Sequence, residues 1–411
     1  MVKNHSTRRS RILIQATLSI FSLTSIAAGG SPSFQGLGEL PGGGTNSVAN
    51  AVSADGITVV GRSSASGGTR AFRWTATTGM QNLGVLSGGS NSEAEDVSAD
   101  GRVIVGHSSG KSWIWTPTTG LSEIGVLPGA TGTFSEAHAV SADGRVVVGR
   151  SDSSSAMFYE AFRWEDANGN GFVDTGEMIG LGFLPNGDNR ETFAFGVNAN
   201  GSRVVGLGSV SGSGGDPFLW TIGVGMVSLG DLSSSSTSTW ALDISPEGSV
   251  VVGRGEYDSA TSRSQAFLWE DLNGNGSGDP GEILGLGDFA GGGNVNSEAL
   301  AVSANGKIVV GRGEDADGWL AFIWDPINGF RSLQTVLTTE YGLDLTGWRL
   351  EAANDITPDG TTIVGFGTNP QGTSEAWIVR LPKPCETGDV NEDGVVDGND
   401  VAGFVQKLLG S

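Results

Sequence analysis

Three stretches of this chain carry oxygen-bearing side chains at the spacing of a calcium loop. In DANGNGFVDTGE, Asp166, Asn168, Asn170, Asp174 and Glu177 stand at positions 1, 3, 5, 9 and 12 of twelve residues. Gly171 falls at position 6, where the loop must turn sharply, and the Phe172 carbonyl at position 7. DLNGNGSGDPGE repeats the pattern with Asp271, Asn273, Asn275, Ser277, Asp279 and Glu282. DVNEDGVVDGND, near the C-terminus, supplies Asp389, Asn391, Asp393, the Val395 carbonyl, Asp397 and Asp400. Oxygen-only ligands on a short loop suit Ca2+ better than Zn2+ or Mg2+. Any one match could be an ordinary Asp/Asn/Gly turn. Two full matches at the same place in two repeats point to calcium.

Those repeats organise the chain. VSADG begins at Val52, Val97 and Val140, and its variants VNANG, ISPEG, VSANG and ITPDG begin at Val197, Ile244, Val302 and Ile356. Each is followed by a β-branched run and a glycine, so each predicts a tight hairpin. The copies start 45, 43, 57, 47, 58 and 54 residues apart, a period that marks a propeller rather than a sandwich.

Each unit predicts four strands. In the third they are Glu136 to Ser141, Arg145 to Arg150, Ala161 to Trp164 and Met178 to Gly182. The third strand recurs as AFRW, SWIW, PFLW, AFLW, AFIW and AWIV. Alternation places Phe72 with Trp74, Phe162 with Trp164 and Phe267 with Trp269 on one face, as filler between stacked sheets. Trp240, Trp319 and Trp348 are better placed for an exposed sugar platform. The seventh unit lacks a fourth strand, and FQGLG, from Phe34, is the spare one. A strand from the start of the chain closing the last sheet makes a ring without free edges. The expected fold is all-β, a seven-bladed propeller over residues 33–381, then a linker, 382–388, and a calcium loop with a helix, 389–411.

The unit as written from Gly36 to Gly43, Val52 to Gly61 and Ala71 to Trp74 resembles the HAF family of probable extracellular repeats. The resemblance covers most of the chain and implies an exported repeat protein with no known reaction. The family's His-Ala-Phe tripeptide is absent; Arg70, Glu160, Gln265 or Leu320 precedes Ala-Phe here. The tail is similar to one half of a type I dockerin, with EF-hand-like spacing. Val401, Phe404, Val405, Leu408 and Leu409 form an apolar helical stripe that a cohesin-like or other cell-surface partner would cover.

Composition narrows the function. The chain has 411 residues, 68 of them Gly, and a net charge of −22, which disfavours nucleic acid and suits divalent cations. Its single cysteine, Cys385, precludes a disulfide framework. Lys3, Arg8, Arg9 and Arg11 precede an apolar run from Ile12 to Ala28, the pattern of a cleaved export signal over 1–28. No GxSxG, HExxH or P-loop occurs, and His107 and His138 lie inside predicted strands as structural residues. The expectation is a secreted, calcium-binding, non-catalytic binding or surface module with a glycan as one candidate ligand. The alternative is an enzyme acting on extracellular polysaccharide. A cluster of Asp, Glu, Arg and Tyr at one mouth of the channel would favour the enzyme.

Overall fold

The computed structural model describes residues 30–383, apart from 170–173, 175, 186, 211–213, 233–237, 259–262, 280 and 290–295. Among the described residues the repeats form seven four-stranded antiparallel blades. Blade 1 comprises Ser47–Val52, Val59–Ala65, Gly68–Thr75 and Gly79–Gly84, and the others follow the same plan. Blades 3 and 4 are also joined by one parallel bridge, Tyr159 to Glu191. The strand Ser33–Gly36 pairs antiparallel with Ser374–Arg380, Phe34 opposite Val379, and so completes blade 7 as the sequence predicts. Gly38 N–H donates to Glu375 Oε1 at 2.9 Å, and Phe34 meets Trp348 edge-on at 5.0 Å.

The repeated motif can be read residue by residue. Gly144 takes a φ of 76°, a left-handed value that glycine adopts without strain at the end of the turn from Ser141. Its N–H donates to Ser141 O, and Ser141 Oγ donates to Asp143 Oδ1 at 2.6 Å. The glycine after the Val run has a packing role. A Cβ on Gly149 would lie 1.9 Å from Glu136 O on the neighbouring strand. Phe72, Phe162, Trp164, Phe267 and Trp269 are buried between blades, as alternation predicts. Trp113, Trp164, Trp269 and Trp377 leave their indole N–H groups without a hydrogen-bond partner. That costs about 1–3 kcal/mol each, and the ring area buried offsets it.

Blades are also joined by buried hydroxyls. Ser297 Oγ, at the start of the inner strand of blade 6, accepts from Ala266 N–H and donates to Gly287 O, both in blade 5. Ser92 and Thr192 make the same two bonds to the blades before theirs. Ser47 does so across the closure, to Ala376 N–H of blade 7 and to Gly38 O just after the closing strand.

One element was not foreseen. The sequence predicts a degraded strand at Phe330 and then a long loop. The strand Gly329–Ser332 stops because Ser332 caps a helix, Leu333–Thr339. Leu333, Val336 and Leu337 are buried in the cluster around Trp377, which Phe34, Tyr341 and Trp348 also pack against. Tyr341 and Trp348 therefore serve the closure of the ring and not an open platform.

Three aspartates brace the channel. Asp96, Asp243 and Asp355 each accept from the next residue's N–H and from a strand of the following blade: Val140, Val302 and Val52 N–H. They line a cavity of about 200 Å³. Burial pushes Asp96 up to about 6 and Asp243 up to about 7, and Asp355 rises well above the usual range.

Two outcomes are expected. Ser297→Ala should cost about 1–3 kcal/mol in chemical denaturation, because Ala266 N–H is left buried and unpaired, and Ser297→Thr should restore most of it. The aspartates hold protons in the folded state that an unfolded chain, titrating near 3.9, releases. Their contribution to stability therefore falls as pH rises from about 4 to about 7. The melting temperature should be higher at pH 5.5 than at pH 8, and Asp243→Asn should shrink that difference.

Candidate functional site

The inner strand of every blade reads x-Ala-X-z-Val or a close variant, with a bulge after the alanine. The alanine is buried between blades, and X faces the channel. Around the ring X is Asn50, Glu95, His138, Phe195, Leu242, Leu300 and Asn354, which line a cavity of about 430 Å³. The bulge sets X at the wide end of the channel and z, the position of Asp96, Asp243 and Asp355, toward the Asp-Gly turns.

This mouth has two unlike halves. His138 stacks on Phe195 at 5.3 Å, and Phe195 on Trp240 at 5.6 Å, with interplanar angles of 18° and 11°. Leu242 and Leu300 continue that wall. The facing wall is Asn354, Asn50 and Glu95. Asn50 and Asn354 donate to carbonyls of the next blade, Ala94 O and Ala49 O, and His138 Nδ1 donates to Ala194 O at 2.8 Å. Glu95 instead accepts from His107 Nε2 at 3.1 Å.

A cleft of about 400 Å³ opens beside Glu95, lined by Arg62, Asn91, Glu93, His107, Phe134 and Glu136. Burial alone would lower the His107 pKa; Glu95, Glu136 and Glu93 outweigh it and raise it. Burial also raises Glu93, with Glu95 adding to it. Glu136 goes the other way. Bonds from His138 and Arg150, and the Arg150 charge, outweigh burial and hold it at about 2. Arg150 donates to Glu136 at 2.7 Å and lies 4.9–5.3 Å from the rings of Phe193, Phe134 and Tyr159, a position fixed on every side. Ligand atoms of Glu93, Glu95 and His107 come within 4.8 Å of one another, close enough to share a metal ion. Arg62 and Asn50 both bond Oε1 of Glu93. The arrangement suits proton transfer: a carboxylate hydrogen-bonded to an imidazole at the rim of an open cleft.

His107 and His138 lie in strands, as expected; their side chains line the cleft and the channel mouth respectively. Glu93, Glu95, Glu136, Arg62 and Arg150 were not singled out in the sequence. The signal was there as one column, Asn-Glu-His-Phe-Leu-Leu-Asn, which varies while its flanking Ala and Val barely do. Of the expected platform residues, Trp240 joins the mouth, under Arg254 at 4.5 Å, and Trp319 lies under Arg312 at 4.5 Å.

The two internal loops expected to bind calcium leave from the opposite end, beside the Asp-Gly turns. Asp166 N–H donates to Arg145 O, and Asp271 N–H to Ser249 O. In the first loop Asn168 Nδ2 donates to Asp174 at 2.7 Å and Asp174 N–H to Glu177 at 2.9 Å; Asn170 and Phe172 lie outside the described residues. In the second, Asn273 and Asn275 both donate to Asp279 Oδ2, and Asp279 N–H donates to Glu282 Oε2 at 3.0 Å. Asp271 Oδ1 and Glu282 Oε1, at the first and last ligand positions, are buried without a hydrogen-bond partner, as oxygens left for a cation would be. The tail positions from Asp389 to Leu408 lie outside the described residues.

No family model matches the chain, and no curated protein matches it in sequence. Solved structures do match. An oligogalacturonate lyase from Vibrio parahaemolyticus aligns over 86% of this chain and 98% of its own, with 10% identity and a TM-score of 0.54. An oligogalacturonate lyase in complex with manganese aligns over 87% and 99%, at 13% and 0.51. Prolyl endopeptidase aligns over 83% of this chain and 51% of its own, at 10% and 0.50. These likenesses carry the fold, and the fold is a β-propeller. They also overturn the expectation of a non-catalytic chain, since these neighbours are enzymes and the architecture is no argument against catalysis.

The coupling at the mouth can be measured. Glu95→Gln removes the charge that most raises His107. The imidazole resonance of His107, followed by NMR across pH, should titrate at a lower pH in the variant than in the parent protein.

Proposed function

We propose that the protein binds an extracellular polysaccharide at the mouth of its channel, where the Glu95–His107 pair performs acid–base chemistry on it. The observation that carries this reading is the division of the mouth. His138, Phe195, Trp240, Leu242 and Leu300 offer an apolar wall, and Asn354, Asn50 and Glu95 offer hydrogen-bonding groups opposite. A sugar ring has the matching character, a C–H face for stacking and an equator of hydroxyls. The cluster of Glu93, Glu95, Glu136, Arg62, Arg150 and Tyr159 at one end of the channel supports the enzyme over a passive module. The basic and apolar N-terminal run supports export, and the HAF-like repeat unit agrees with it. Attachment through the tail, by calcium and a cohesin-like partner, belongs to the same proposal.

The test uses the chain without residues 1–28 and a panel of neutral and uronate-containing polysaccharides, oligogalacturonate included. Binding is measured by calorimetry and turnover by release of new chain ends. Phe195→Ala should weaken binding at least tenfold. Glu95→Gln should abolish turnover and leave much of the binding. Binding that survives Phe195→Ala and Trp240→Ala together would place the ligand elsewhere. No binding across the panel would sink the polysaccharide reading.

A further inference from the structure

The loop Asp271–Glu282 does more than turn the chain between two strands of blade 5. It reaches sideways onto blade 4. Gly278 N–H donates to Ser228 O, at the end of the outer strand of blade 4, at 3.3 Å. The approach is so close that a Cβ on Gly278 would lie 2.3 Å from the carbonyl carbon and oxygen of Leu229. Arg203, on the second strand of blade 4, has Nη1 3.9 Å from Asp271 Oδ2 and donates to Gly248 O of blade 5 at 2.7 Å.

Within the loop, backbone and side chains hold the turn in place. Gly276 N–H donates to Asp271 Oδ2, Asn275 N–H to Asn273 Oδ1, and Ser277 N–H to Asn275 Oδ1. Hydrogen bonds from Asn273 and Asn275 lower the Asp279 pKa. The Asp271 side chain is only 4% exposed and Glu282 only 5%. Asp271 Oδ1 and Glu282 Oε1 nonetheless bond nothing. A buried carboxylate oxygen without a donor is costly, and the two that lack one occupy the first and twelfth positions of a calcium loop.

We propose that Asp271, Asn273, Asn275, Ser277, Asp279 and Glu282 bind one calcium ion, and that this ion staples blade 5 to the outer strand of blade 4. The two orphaned oxygens are the anchoring ligands. The neutral amides and the Ser277 carbonyl complete an all-oxygen set with the flexibility Ca2+ tolerates and Mg2+ does not. The staple lies on the opposite face from the channel mouth and stands independently of the function proposed there.

The experiment counts ions and maps protection in the full chain. Equilibrium dialysis with 45Ca2+ gives the number bound, and hydrogen exchange in calcium and in EDTA gives the local effect. The parent protein should bind one more calcium than the Glu282→Gln variant, which keeps the side chain's volume. Calcium should slow exchange both in 270–287 and in 225–232. Gly278→Ala should keep the ion count while 225–232 loses its calcium-dependent protection. An equal ion count in parent and Glu282→Gln, with the variant folded by circular dichroism, overturns the site. Protection confined to 270–287 in the parent protein overturns the staple.

Discussion

The buried hydroxyl at the head of an inner strand is the interaction on which the ring depends. It takes an N–H from one strand of the preceding blade and gives its proton to a carbonyl at the end of that blade's outer strand. Apolar contact between twisted sheets is non-directional and tolerates a range of angles. Two hydrogen bonds through one oxygen do not. Repeated at several joints, they fix the angle at which each blade follows the last, and a fixed angle is what lets a run of sheets close. The closing strand at Ser33–Gly36 works because the accumulated turn has already brought blade 7 beside the start of the chain.

Closure has a consequence for charge. Asp96, Asp243 and Asp355 act on the inner side as the hydroxyls act farther out, each bonding a strand of its own blade and one of the next. Their position gathers three carboxylates around one narrow channel, where Asp96 adds to the proton affinity of Asp243, and both add to that of Asp355. At the wide end the same geometry gathers Glu93, Glu95 and Glu136, yet there the outcome differs. Arg62, Arg150 and the two histidines stand beside them, and the cleft is open to water. One end of the channel therefore carries carboxylates that serve the scaffold. The other carries carboxylates on an open cleft, where the proposed ligand would meet them.

The two faces divide the labour by connection length. Asp-Gly turns and the two twelve-residue Asp/Asn-rich loops share the face toward which the inner strands run, where backbone groups are tied by local hydrogen-bonded turns. The stacked rings and the Glu95–His107 pair lie at the other end, where connections between blades are longer and more varied. Function on variable loops over a rigid scaffold is the usual arrangement, and here the inner strands themselves also supply the groups that face the channel.

Much of this was legible in the sequence because a propeller is one local pattern written many times. Seven Asp-Gly or related turns and seven aromatic third strands give the blades and their number from contacts between near neighbours in the chain, and the one displaced fourth strand gives the way the ring closes. The spacing of Asp271 to Glu282 pointed to calcium by the same local logic, and the structure adds the buried, unpartnered oxygens at its two ends. The mouth was another matter. Asn50, Glu95, His138, Phe195, Leu242, Leu300 and Asn354 are each unremarkable within their own repeats, and His107 and His138 read as ordinary strand residues. They become a site only when closure sets one residue from every blade around a common axis. The docking of Gly278 on Leu229, the edge-on contact of Trp348 with Phe34 and the buried setting of Asp243 likewise follow from the angle between blades. That angle is set by packing and hydrogen bonds between strands tens of residues apart, so only the tertiary structure decides it.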